Sequence, residues 1–211
     1  SATLSPEERK AVIRFTVKQV NGRVPVIAGT GTNNTEHVLE FTKSACGDGA
    51  DAVLVVTPYY NKATQKGLIN HYTAVADTSE KPVIMYAVPS RTGCHLLPDT
   101  VATLSQHPMI AGLKDASGNM DQTVETIAKC GGNLDIYSGE DALTAPMMSM
   151  GGKGAITSCD IHAHKTGLIE NGAARLGLSN ITVRQQDATV QVPEWVDAMD
   201  VVIADVPCSG L

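Results

Sequence analysis

Apolar positions along the chain alternate between short unbroken runs and longer, spaced series. Ser5-Pro6-Glu7-Glu8 reads as a helix start, with serine as N-cap, proline in the first turn and glutamate three residues after the cap. Ile13, Thr16, Val17 and Val20 then recur at helical spacing, and Asn21-Gly22 ends the series. Residues 24–28 form a β-branched run closed by Gly29 and Gly31, the pattern of a buried strand. Helical patterns follow near 34–46, 64–78, 97–106, 120–130 and 141–150, and strand runs near 52–57, 82–87, 110–114, 134–137 and 154–158. Leu168, Ile169, Ala173 and Leu176 share a further helical face that stops at Gly177. Residues 181–184 read as a strand, 193–199 as a short helix and 201–205 as an apolar strand.

Strands that alternate with helices imply parallel pairing through right-handed crossovers, hence an α/β fold. Eight strand candidates, each preceded by a helix candidate, are the number that closes a (β/α)8 barrel. Because the order starts with a helix and ends with a strand, the expected barrel is permuted. An open doubly wound parallel sheet satisfies the same alternation and stands as the alternative.

Composition narrows the partners. The 211 residues carry a net charge of −6, which lacks the clustered cations that phosphate binding needs, so no nucleic-acid partner is expected. Cys46, Cys94, Cys130, Cys159 and Cys208 are dispersed without a Cys-x-x-Cys pair, as free thiols in a reducing cytoplasm would be. No apolar run reaches membrane-spanning length. Asp160, His162 and His164 could suggest a metal, but two-residue spacing on a strand-to-helix turn is a poor chelating geometry; no metal is expected there.

The sharpest chemical signal is Ile110-Ala111-Gly112-Leu113-Lys114-Asp115-Ala116-Ser117-Gly118, which puts a lysine at the C-terminal end of an apolar strand. In a barrel that end faces the active-site mouth. Burial there disfavours the charged amine, and a neutral amine can attack a ketone to form a Schiff base. The pattern by itself better suits a lysine that reaches from a strand end to water.

The surroundings of this lysine add a resemblance. Val83-Ile84-Met85-Tyr86-Ala87-Val88-Pro89-Ser90-Arg91-Thr92-Gly93, together with Gly29-Thr30-Gly31, Thr57-Pro58-Tyr59-Tyr60-Asn61 and Gly139-Glu140-Asp141, is similar to the dihydrodipicolinate synthases. The likeness spans residues 1–158. That family is a group of class I aldolase-like lyases with a barrel fold that condense pyruvate with aspartate semialdehyde in lysine biosynthesis. The resemblance implies Lys114 as the Schiff-base lysine and Tyr86 as the proton-transferring phenol on the adjacent strand. It implies Tyr60 as the tyrosine that a neighbouring subunit lends to the proton relay. Arg91 would grip the carboxylate of the aldehyde substrate, and Ile156 on the strand 154–158 would contact substrate. Gly31, Asn33 and Tyr59 would fall where many members bind lysine as feedback inhibitor. No cofactor is implied beyond the covalent adduct with pyruvate at Lys114. Ala87 departs from the asparagine usual after the strand tyrosine. A homo-oligomer is implied, and swapping of a terminal segment between copies is one route to it.

Residues 160–211 resemble something else. Cys159-Asp160-Ile161-His162, Gln186-Asp187-Ala188 and Asp205-Val206-Pro207-Cys208-Ser209-Gly210 are similar to the Rossmann-like core of RNA cytosine-5 methyltransferases. That resemblance implies Asp160 on the ribose of S-adenosylmethionine, Asp187 at its adenine edge, and Asp205 with Cys208 beside a target base. The glycine-rich loop of such a core should precede Asp160, where Gly154-Ala155-Ile156-Thr157-Ser158 stands instead. Methyl transfer with S-adenosylmethionine is therefore not expected.

The chain then divides at 1–158 and 159–211. The synthase family opens with two more βα units, the second ending in a Gly-Thr-Thr-Gly-Glu turn that cradles the pyruvate carboxylate. The expectation is that 181–184 and 201–205 take the places of those two strands in one domain. On that expectation the chain is a recombined or engineered chimera with vestigial Schiff-base chemistry and little turnover. An active dihydrodipicolinate synthase-like lyase and a nucleotide-binding module using Asp160 and Asp187 are the alternatives.

Overall fold

The computed structural model describes residues 4–153, 159–160 and 184–185. The first helix, α1 (Pro6–Val20), starts as its sequence dictates. The Glu8 N–H donates to the Ser5 hydroxyl at 3.2 Å, and the Ser5 N–H donates to the Glu8 carboxylate at 2.8 Å. Two of the donors that a helix start leaves open are thus satisfied reciprocally. Asn21 closes the helix in the left-handed region at φ 50°. Ile13, Thr16, Val17 and Val20 lie half-buried on the inner face. The most buried member of that face is Arg9, whose guanidinium lies 4.5 Å from the ring centroid of Phe41.

The chain continues as β1 (Ile27–Gly29), α2 (Thr35–Gly47), β2 (Ala52–Val56), α3 (Gln65–Thr78) and β3 (Val83–Ala87). It then forms α4 (Pro89–Thr92), α5 (Pro98–Leu104), β4 (Ile110–Asp115), α6 (Met120–Cys130) and β5 (Asp135–Ser138). A 3-10 turn at Asp141–Leu143 leads into α7 (Thr144–Ser149). The helix expected over 141–150 is therefore split. Pro146 has no N–H to give and is tolerated only in a first turn, so the α-helix begins two residues before it. The segment after β3 makes one helical turn, with Pro89 at its start and Gly93 at φ 66° after its end.

β1 to β5 form one parallel sheet in the order β1-β2-β3-β4-β5. Sequential order joined by crossovers of one hand places the connecting helices on the same face. A doubly wound sheet reverses its strand order at a switch point, and this one does not, so that alternative fails. One irregularity interrupts the β3–β4 ladder. Val83 pairs with Ile110, but Ile84 pairs with Gly112, so Ala111 is an extra residue on β4.

Closure into a permuted eight-stranded barrel is not what the described residues show. Two short strands, β6 (Cys159–Asp160) and β7 (Arg184–Gln185), pair in parallel as a separate ladder. No ladder joins this pair to the five-stranded sheet among the described residues. The expected strands 154–158 and 201–205, and the helices near 166–176 and 193–199, lie outside those residues.

Consecutive residues Val83, Ile84 and Met85 are all buried, as a parallel strand covered on both faces requires. Val53, Val55, Leu113 and Ile136 join them, and α2, α3, α5 and α6 pack successively beside one another. Gly31 carries the loop after β1 against the backbone of β2. A Cβ there would sit 2.4 Å from the Val56 nitrogen, whereas one on Gly29 would meet nothing within 4 Å. On α3, His71 is 5% exposed, with Nδ1 2.9 Å from the Thr35 hydroxyl oxygen and Nε2 buried without a hydrogen-bond partner.

Two stability measurements follow. In urea unfolding, Gly31→Ala should lose about 3 kcal/mol or more through overpacking, and Gly29→Ala should stay within about 1 kcal/mol. Burial lowers the His71 pKa from 6.5 to about 4. Between those values the unfolded chain binds a proton that the folded one refuses. The contribution of His71 is therefore complete above pH 6.5 and is lost as pH falls towards 4, by about 3 kcal/mol in all. Urea melts across that interval should show this slope in the parent and a shallower one in His71→Leu.

Candidate active site

In a parallel sheet every strand ends on the same rim. Thr57 after β2, Tyr86 on β3, Lys114 on β4 and Gly139 after β5 therefore line one edge. Lys114 and Tyr86 are direct register partners across β3 and β4. Lys114 is 6% exposed, and its Nζ stands 4.5 Å from the centroid of the half-buried Tyr86 ring, within cation–π range.

Neighbouring groups hold that pair in place. Asp115 follows Lys114 and so points to the opposite face of the strand. Its carboxylate accepts from the Ser117 N–H at 2.8 Å and from the Thr123 hydroxyl at 2.7 Å, which commits it to the start of α6. The Gly139 N–H donates to the Asp115 carbonyl at 2.7 Å, drawing the loop after β5 across the lysine stem. A Cβ on Gly139 would sit 3.1 Å from both Cγ and Cε of Lys114 and 2.9 Å from the Ala116 Cβ. Glycine at 139 is thus what lets the stem lie where it does. The motif Gly139-Glu140-Asp141 was visible in the sequence, but its contact with Lys114 was not.

Arg91 sits on α4, directly after β3, and is exposed. Its turn is pinned by the buried Thr92, whose hydroxyl lies 3.2 Å from the Val88 carbonyl and 3.0 Å from the Cys94 carbonyl. Tyr60 is 87% exposed at φ 72°, on a loop tied down by Asn61, whose side-chain N–H donates to the Asn33 carbonyl at 3.1 Å. This chain by itself therefore unites Lys114 with Tyr86, places Arg91 one turn beyond, and leaves Tyr60 facing outward. Ile156 and Asp187 lie outside the described residues, and Asp160 is described only as backbone in β6. Among the described residues no cluster of three or more His, Cys, Asp or Glu could hold a metal ion. No helix among them is long and apolar enough to cross a membrane.

A one-way parallel sheet with a buried lysine facing a tyrosine on its C-terminal rim defines a barrel-type α/β protein with a strand-end amine site. The chain belongs to the dihydrodipicolinate synthetase family, whose model matches residues 1–177. It is 50% identical over 157 residues to the 4-hydroxy-tetrahydrodipicolinate synthase of Leptospira biflexa, covering 74% of this chain and 53% of that protein. The same-named enzyme of Citrifermentans bemidjiense is 53% identical over 157 residues, covering 74% and 54%. The crystal structure of the chloride-inhibited dihydrodipicolinate synthase of Acinetobacter baumannii in complex with pyruvate superposes with a TM-score of 0.74. It is 40% identical, over 84% of this chain and 61% of that one. The chain spans about half the length of the curated relatives it matches.

The family match runs past residue 158, and none of these similarities involves a methyltransferase. The reading of 160–211 as a methyltransferase core, and of the whole as a chimera, is left without support.

The contact between Gly139 and Lys114 is testable through stability. Gly139→Ala should cost about 1–3 kcal/mol in urea unfolding, and a Lys114→Ala background should relieve roughly 1 kcal/mol of it. Strict additivity would mean that Ala116 bears the whole strain.

Proposed function

We propose that this chain carries the Schiff-base site of a lyase acting on pyruvate. The observation that carries the reading is the buried Lys114 amine set against the Tyr86 ring on the strand-end rim. In this reading Nζ attacks the ketone carbon of the 2-oxo acid to give a carbinolamine. Loss of water then needs a proton delivered to the departing hydroxyl, and Tyr86 is the adjacent group that can deliver it. The imine draws electrons from the methyl carbon, which loses a proton and can add to an aldehyde. Arg91, exposed beside the rim, offers the bidentate donors that suit the carboxylate of such an aldehyde, aspartate semialdehyde by family likeness. Tyr60 serves the relay of a neighbouring copy, which accounts for its outward position and implies a homo-oligomer.

Family membership and the pyruvate complex of the Acinetobacter relative favour a working lyase over an inert structural product. No observation favours a nucleotide site at Asp160 and Asp187.

Borohydride trapping tests the reading on this chain, because it needs only the lysine and the 2-oxo acid and not a full catalytic cycle. With pyruvate, the reduced adduct should appear on the Lys114 peptide and vanish in Lys114→Ala. Tyr86→Phe should slow its formation by about 10²-fold. No adduct from folded protein, or an equal yield on exposed lysines such as Lys66, would overturn the proposal.

A further inference from the structure

Tyr86 is held from behind as well as opposed from across the ladder. Where β2 ends, Thr57 is fully buried, and it spends both of its donors on one acceptor. Its N–H and its hydroxyl each donate to the Tyr86 carbonyl at 2.9 Å. That carbonyl lies where pairing between β2 and β3 stops. Beyond it no further ladder bond from β2 restrains the strand end. From α3, the fully buried Tyr72 reaches under the sheet and donates its hydroxyl to the Val55 carbonyl at 3.0 Å, with the Thr57 hydroxyl at 3.5 Å. Burial pushes the Tyr72 pKa up, so the phenol stays a donor. The His71 ring packs edge-on against it, centroids 5.2 Å apart at 81°.

We infer that Thr57, backed by Tyr72, is a positioning residue for the Tyr86 phenol. It fixes the Tyr86 peptide, and so the direction in which that ring meets Lys114. A threonine needed only to finish the sheet would require its N–H alone. The hydroxyl bond to the same carbonyl is the addition that rotation of this peptide would break. The chemical consequence rests on the Schiff-base reading above; the geometric part does not.

The test uses the full chain with Thr57→Val, Thr57→Ser and Tyr72→Phe. The first readout is the 13Cζ resonance of Tyr86, assigned by its loss in Tyr86→Phe. It should move in Thr57→Val, return towards the parent position in Thr57→Ser, and move in the same direction in Tyr72→Phe, which removes one oxygen and keeps the ring. The second readout is the rate of pyruvate trapping. Thr57→Val should lower it about tenfold in the parent. In a Tyr86→Phe background it should have no further effect, because Thr57 acts through the phenol. An unmoved Tyr86 resonance in Thr57→Val and Tyr72→Phe would overturn the inference. So would an equal slowing with and without the Tyr86 phenol, which is the mark of general loosening. If the parent itself traps no pyruvate, the Schiff-base reading fails, and the resonance decides the positioning role unaided. If Thr57→Val does not fold, Tyr72→Phe and Thr57→Ser decide it by the same resonance.

Discussion

The site depends on one extra residue in the β3–β4 ladder. Up to Val83 and Ile110 the two strands pair in a register that would set Tyr86 opposite Leu113. Ala111 is then left over, Ile84 takes Gly112, and Tyr86 comes to face Lys114. In a sheet with a two-residue side-chain period, a slip of one residue reverses the face of everything downstream. The bulge therefore decides whether the rim presents an amine beside a phenol or a leucine beside a phenol. Bulges gather near active sites for this reason, since they re-aim a side chain without rebuilding the strand.

The rest of the rim serves that alignment. Gly139 leaves space for the lysine stem, and its N–H draws the next loop onto Asp115. The Asp115 carboxylate is engaged by Ser117 and Thr123 on the side of α6, away from the amine. Thr57 holds the Tyr86 carbonyl with both donors. Together these leave the amine in contact with an aromatic face, beside a strand whose residues Val83, Ile84 and Met85 are all buried. That arrangement is what the proposed Schiff-base chemistry would use.

Much of this could be read from residue order. Ser5 and Glu8 announced the first cap, the short strand runs located β1 to β5, and Lys114 stood out at the end of an apolar strand. The Val-Pro-Ser-Arg-Thr-Gly segment carried the family. What could not be read is what depends on pairing between strands. Periodicity shows that 110–114 is a strand but not that Ala111 is skipped by its partner. The contact of Arg9 with Phe41 on another helix is likewise invisible to helical spacing. Thr57 meets the Tyr86 carbonyl from 29 positions away and Tyr72 lies 15 positions from Thr57, so neither contact shows in residue order. Beyond residue 158 short motifs suggested a second family, whereas the synthase family match continues to residue 177.

Nuclear Overhauser contacts of the Tyr86 ring protons test the register most directly. A strong contact with the ε-methylene of Lys114, together with an upfield ring-current shift of that methylene, is the result this account predicts. Contact with the Leu113 methyl groups in place of Lys114 would contradict it, because β3 and β4 would then pair without the bulge on which the site depends.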